Sequence, residues 1–129
     1  MRHHLFAALA GLAVFALAGA AQAQDLVAVG KAKFAYTCAP CHAAGPGDDG
    51  KPLLPGTQQL QWKYKGEKPA LLEQRTDLPP EILKTFVRRG AWSMPAFRKT
   101  EVTDAEITAI AAYLAQAAKT PMALGAPGR

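Results

Sequence analysis

The chain has 129 residues, half of them apolar, a net charge of +5 and only two cysteines. Its Lys and Arg are dispersed, with Lys63, Lys65 and Lys68 the densest group, and form no continuous arm of the kind that tracks nucleic-acid phosphates. Two cysteines close together also exclude a secreted disulfide scaffold, which uses more of them at wider spacing.

The first residues are a basic Met1-Arg2-His3-His4, an uncharged run from Leu5 to Ala20, and Ala21-Gln22-Ala23. A basic start, an apolar core and small residues at a cleavage position make a secretory signal peptide over 1–23. The run is shorter than the roughly 20 apolar residues of a spanning helix. Only a retained leader would put the chain on a membrane. Cleavage after Ala23 leaves Gln24 to Arg129, a length suited to one domain with a modest core, located in a bacterial periplasm.

Within that part, residues 25–37 have helical spacing of Leu26, Val29, Ala32 and Phe34, with Asp25 as N-cap. Residues 43–55 are dense in Gly and Pro and read as loop. The stretch 57–76 is ambiguous: Leu60 and Trp62 suggest one helical turn and 69–74 another. Asp77-Leu78-Pro79-Pro80-Glu81 starts a clear helix, with proline in the first turn and an acid suited to the dipole. Ile82, Leu83, Phe86 and Val87 form its apolar stripe, and Gly90 ends it. Residues 91–100 are loop. Thr103 and Glu106 make a capping box for a helix to about Ala118, with Ile107, Ile110, Ala111, Tyr113 and Leu114 inward. Residues 121–129 form a terminal tail after a domain spanning 24–120. No segment alternates like a strand, so the expected class is all-α.

The chemistry concentrates at Cys38-Ala39-Pro40-Cys41-His42. C-x-x-C-H is the attachment sequence of c-type haem: two thiols on one turn each bond a vinyl group of one porphyrin, and the next residue offers its imidazole to the iron. A thioredoxin-like site needs a βαβ context, and a structural zinc site needs four ligands; the sequence offers neither. His42 is the last of three histidines, the other two lying in the leader, so no second histidine serves the mature domain. Met94 and Met122 remain as thioether candidates. Met94 is favoured, because Pro95 forces it out of helical backbone, in a loop between two helices. The other imidazole nitrogen needs an orienting acceptor; the carbonyl of Pro52 is the first candidate and that of Pro46 the alternative. Trp62, Tyr64 and Arg75 are candidate donors to the haem propionates.

These motifs together resemble the class I cytochrome c family. The resemblance rests on Gly30-x-x-x-Phe34, the Cys38–His42 motif, Pro52-x-Leu54-x-Gly56, Met94-Pro95 and Ile110-x-x-Tyr113-Leu114. It implies a cytochrome c-like fold of three or more helices around one covalent haem c, with the first and last helices crossing through Gly30, Phe34 and Tyr113. It also implies His42/Met94 ligation and electron transfer by a carrier that is not itself an enzyme. Leu78-Pro79-Pro80-Glu81, Val87-Arg88-x-Gly90 and Met94-Pro95-Ala96-Phe97 are similar to cytochrome subunits of flavin dehydrogenases such as 4-cresol methylhydroxylase. That likeness implies a flavin dehydrogenase as electron donor, with a terminal oxidase or another cytochrome as acceptor. The competing function is a gas sensor or peroxidase-like protein with an open sixth coordination site.

Overall fold

A computed structural model describes residues 22–47 and 50–120. The leader up to residue 21, and the tail with Met122, lie outside the described residues. Among those described there are five α-helices and no strand, which establishes the all-α class. Helix α1 covers 22–37, and α2, Ala39–His42, follows it almost directly. The remaining helices are α3, Pro55–Tyr64; α4, Pro80–Arg89; and α5, Asp104–Ala117, with a single 3-10 turn at Leu72–Gln74 before α4.

Two expectations change at the level of these elements. Asp25 does not cap α1, because the chain is already helical at residue 22. The residues before it, Gln22-Ala23-Gln24, are good helix formers and carry the helix past the acid. The single turn expected around Leu60 and Trp62 is instead part of a helix of 10 residues that starts at Pro55, inside the expected loop. Pro55 opens it at the first helical position, where a missing N–H costs nothing. Lys65 ends it at φ 49, a left-handed cap made by a residue other than glycine.

The core joins α1, α4 and α5. Phe34, Leu78, Leu83, Val87, Val102, Ile107, Ile110, Ala111 and Leu114 form one buried cluster. Helix α5 supplies the largest share because Ile107, Ile110, Ala111 and Leu114 recur at helical spacing on one side. Its start is doubly fixed. Thr103 Oγ1 accepts from the Glu106 amide at 3.2 Å, and Glu106 Oε2 accepts from the Thr103 amide at 2.7 Å. Val102 and Ile107, flanking this capping box, are both buried in the same cluster and staple the entry of the chain. Hydrogen bonding to the Thr103 amide and to Lys33 holds the Glu106 carboxyl down at about 2.

Helix α1 lies against α5 at a very close approach. A Cβ on Gly30 would meet the Ala109 carbonyl oxygen at 1.9 Å and its carbon at 2.4 Å. One turn later, the Phe34 and Tyr113 rings pack with centroids 5.4 Å apart and planes tilted by 50°, an arrangement worth about 0.5–1.5 kcal/mol beyond area burial. Lys33 adds an ion pair to Glu106 at 3.0 Å and a bond to the Glu101 carbonyl at 2.8 Å. Tyr113 also donates to the Glu73 carboxylate, tying the 3-10 turn to α5.

Helix α4 buries Leu83 and Val87 only. Ile82 and Phe86, the other half of its expected stripe, remain 42% and 37% exposed. The helix meets α5 along one edge of the stripe, so the other edge is left without cover among the described residues.

The close approach at Gly30 leads to the first prediction. Gly30→Ala gains about 1 kcal/mol of helix propensity but forces a methyl into helix backbone that cannot rotate away. We expect a net loss of at least about 2 kcal/mol, measured as a lower urea midpoint. An unchanged midpoint contradicts the crossing.

Candidate haem-attachment site

Helix α1 delivers the attachment turn. The Cys38 amide still donates to the Phe34 carbonyl at 2.8 Å, so the register of α1 continues to the first thiol. Cys38 then serves as N-cap of α2, and its carbonyl accepts from Cys41 at 3.1 Å and from His42 at 2.9 Å. Pro40 sits in the first turn of α2, where its fixed φ suits the helix. Cys38, Cys41 and His42 therefore share a single turn, as attachment of one porphyrin by two thiols requires.

Both cysteines are free thiols. Cys38 packs on the edge of the buried cluster. Burial, with the neighbouring Cys41 adding to it, pushes the Cys38 thiol up to about 11, so it is neutral at physiological pH. Burial also lowers the pKa of His42. Its imidazole is therefore neutral near pH 7, the form that ligates a metal.

His42 is seated against α3. A Cβ on Gly56 would lie 2.7 Å from His42 Cε1, 2.9 Å from Nδ1 and 2.8 Å from the Cys41 carbonyl oxygen. The next residue, Thr57, is fully buried and donates to the Ala43 carbonyl at 3.2 Å, joining the start of α3 to the end of α2. Nδ1 of His42 is buried without a hydrogen-bond partner, and Pro52, the expected acceptor, is exposed and makes no bond to it. The ring is held by packing on Gly56.

Met94 is presented from the loop between α4 and α5. The Ala91 amide donates to the Met94 carbonyl at 3.1 Å and the Met94 amide to the Ala91 carbonyl at 2.9 Å, closing a tight turn. Trp92 takes φ 53 within it. A left-handed conformation costs a residue with a side chain about 1–2 kcal/mol, so the turn is held by its surroundings. Gly90 allows the turn to fold back: at φ 68 it ends α4, and a Cβ there would meet the Met94 carbonyl oxygen at 2.6 Å. Met94 is half-buried and packs against the apolar cluster that Cys38 also touches.

The residues expected near the propionates separate. Tyr64 and Arg75 come together: the guanidinium lies 4.8 Å from the Tyr64 ring centroid, and its hydrogen bond holds the Tyr64 hydroxyl below its ordinary pKa. Arg75 is buried and already forked onto Asp77, with bonds of 2.7 and 2.8 Å, while Lys68 adds a third bond of 2.6 Å to that carboxylate. These cations hold Asp77 well below the usual carboxylate range. Trp62 stands 58% exposed. A separate groove of about 460 Å³, between Pro79-Pro80 and the Thr108, Ala112 and Ala115 side of α5, contains none of the thiol, His42 or Met94 side chains.

The donor set fits a haem c. Two unpaired thiols and a neutral imidazole occupy one turn, a thioether is presented from a closed loop, and Cys38 and Met94 border one apolar cluster. Zinc fits poorly, since no group of three or more His, Cys, Asp or Glu side chains gathers among the described residues. Fold and site together define a class I c-type cytochrome, a protein of haem-based electron transfer. The family model for cytochrome c oxidase, cbb3-type, subunit III matches residues 25–114, and the chain belongs to that family. Comparisons with curated proteins and with solved structures gave no match.

Gly56 was visible in the sequence only as part of a loop motif; its contact with the imidazole emerges from the fold. We expect Gly56→Ala to shift the low-spin ferric EPR g-values of the haem-loaded protein and to destabilise it by about 1–3 kcal/mol. Gly66→Ala, where nothing lies within 4 Å of the added carbon, is the spectral control. Unshifted g-values in Gly56→Ala contradict the seating of His42.

Proposed function

We propose that this protein is an exported, monohaem electron carrier with His42 and Met94 as axial ligands. The observation that carries this reading is the pairing of a free-thiol attachment turn with a thioether loop on one apolar cluster. Haem bound there supplies a one-electron Fe(III)/Fe(II) couple, and a methionine ligand raises its potential. The chain's own contribution is to hold the ligands and exclude water. Gly56 seats the imidazole, the Ala91–Met94 turn holds the thioether, and Phe34, Leu83, Val87 and Ile110 keep the adjoining space apolar.

With both axial positions taken by the protein, a substrate has no open coordination site, so the role is that of a carrier and not an enzyme. The periplasm as its location is supported by the leader over 1–23 and by haem attachment, which takes place outside the cytoplasm. Among the described residues no helix is long and apolar enough to cross a membrane. The partners proposed are redox proteins. A flavin dehydrogenase as donor is supported by the Leu78–Glu81 and Met94–Phe97 motifs, and a terminal oxidase as acceptor by the description of the matching family.

The ligand assignment is tested by spectroscopy on the haem-loaded protein. The ferric form is expected to show the weak sulfur-to-iron band at the red edge of the visible spectrum. Met94→Ala is expected to lose the band and lower the reduction potential, and Met122→Ala to keep both. Rapid binding of carbon monoxide by the unsubstituted ferrous protein contradicts the assignment, since it requires an open sixth site.

A further inference from the structure

Arg88 lies in the last turn of α4, just before the Met94 loop, and the ligand assignment above makes no use of it. Its guanidinium reaches across the base of that loop. One terminal nitrogen donates to the Phe97 carbonyl at 3.1 Å. The other donates to the Val102 carbonyl at 2.8 Å and to Asp104 Oδ1 at 2.5 Å. The second Asp104 oxygen accepts from Lys84 at 2.7 Å. Asp104 is thus divided between two cations and does not receive the arginine as a two-point fork. Nε of Arg88 is buried without a partner. An arginine placed only to pair with a carboxylate would use Nε and one terminal nitrogen together; this one is spread over two main-chain carbonyls.

Those carbonyls have a common meaning. Phe97 is where the chain leaves the Met94 turn, and its amide is fixed to the Val87 carbonyl at 2.8 Å. Val102 is the buried residue that staples the start of α5. The entry of the loop is fixed independently, by the Gly90 amide on the Phe86 carbonyl at 2.8 Å. Arg88 therefore joins the exit of the loop to α4 and α5 at once. A charged donor to a half-buried carbonyl is a stronger tie than a neutral one, and lysine, a single point charge, cannot span the same acceptors.

We infer that Arg88 is a positioning residue for Met94: its fork on Phe97 and Val102 keeps the loop closed, holding the thioether in place against exogenous ligands. The inference rests on Met94 ligation as proposed above. Its test is the affinity of the ferric haem-loaded protein for imidazole, which must displace Met94 to bind.

We expect Arg88→Ala to bind imidazole at least about tenfold more tightly than the unsubstituted protein, the effect of losing one charge-assisted bond. Arg88→Lys retains the charge without the fork and is expected to gain affinity as well. It carries the test if the alanine variant does not fold. Lys84→Ala, which removes only a cation from Asp104, is expected to stay within about twofold. Far-UV circular dichroism of each variant separates loop opening from loss of the fold. Unsubstituted affinity in both Arg88 variants overturns the inference, as does an equal gain in Lys84→Ala. Absence of the red-edge band from the unsubstituted protein removes Met94 ligation instead, and the clamp with it; that outcome is read before any Arg88 variant is made.

Discussion

The approach of α1 to α5 at Gly30 is the constraint on which the site depends. A hydrogen at that position lets the α1 backbone settle on the Ala109 carbonyl, and any side chain would hold the helices apart. Phe34 and Tyr113 then lock the rotation of one helix on the other. Because the hydrogen-bond register of α1 runs on to the Cys38 amide, the crossing also fixes where the first thiol lies. The attachment turn depends on that support: α2 has only 4 residues, too few to be stable alone.

The two segments that carry the proposed axial ligands are built on different principles. His42 belongs to a helical turn and is positioned by close packing, with Gly56 and the buried Thr57 bringing α3 against it. Met94 belongs to a loop and is positioned by main-chain hydrogen bonds, in a turn that needs a left-handed Trp92 and a left-handed Gly90. A packed imidazole resists displacement because its neighbours are backbone atoms. A loop thioether is only as firm as the bonds closing its base. With Met94 as the proposed ligand, this asymmetry makes the methionine side the one where ligation, potential and access to the iron would be tuned by residues that never touch the metal.

Much of this was legible in the sequence, for identifiable reasons. The attachment motif is read from five adjacent residues, the capping box at Thr103 from two, and the inward face of α5 from simple periodicity, and each is a local feature. The crossing of Gly30 and Phe34 with Tyr113 followed from family resemblance. Helix α3 shows in the sequence only as a turn because its apolar residues do not align into one stripe and Trp62 faces solvent. The exposure of Ile82 and Phe86 was hidden because a stripe shows which side of a helix is apolar, not how much of it a neighbour covers. Position in the motif favours Pro52 as the imidazole's acceptor, whereas the contact that seats the ring comes from Gly56. Arg75 is a candidate donor to an anion by residue type alone, but the fold commits it to Asp77, two residues along the chain.

The proposed covalent bond between this chain and a haem is open to one direct measurement, the intact mass of the protein after export and haem maturation in a bacterial host. We expect the mass of Gln24–Arg129 plus a single haem, with neither Cys38 nor Cys41 available to a thiol reagent. A bare polypeptide mass with two reactive thiols contradicts the assignment of the site.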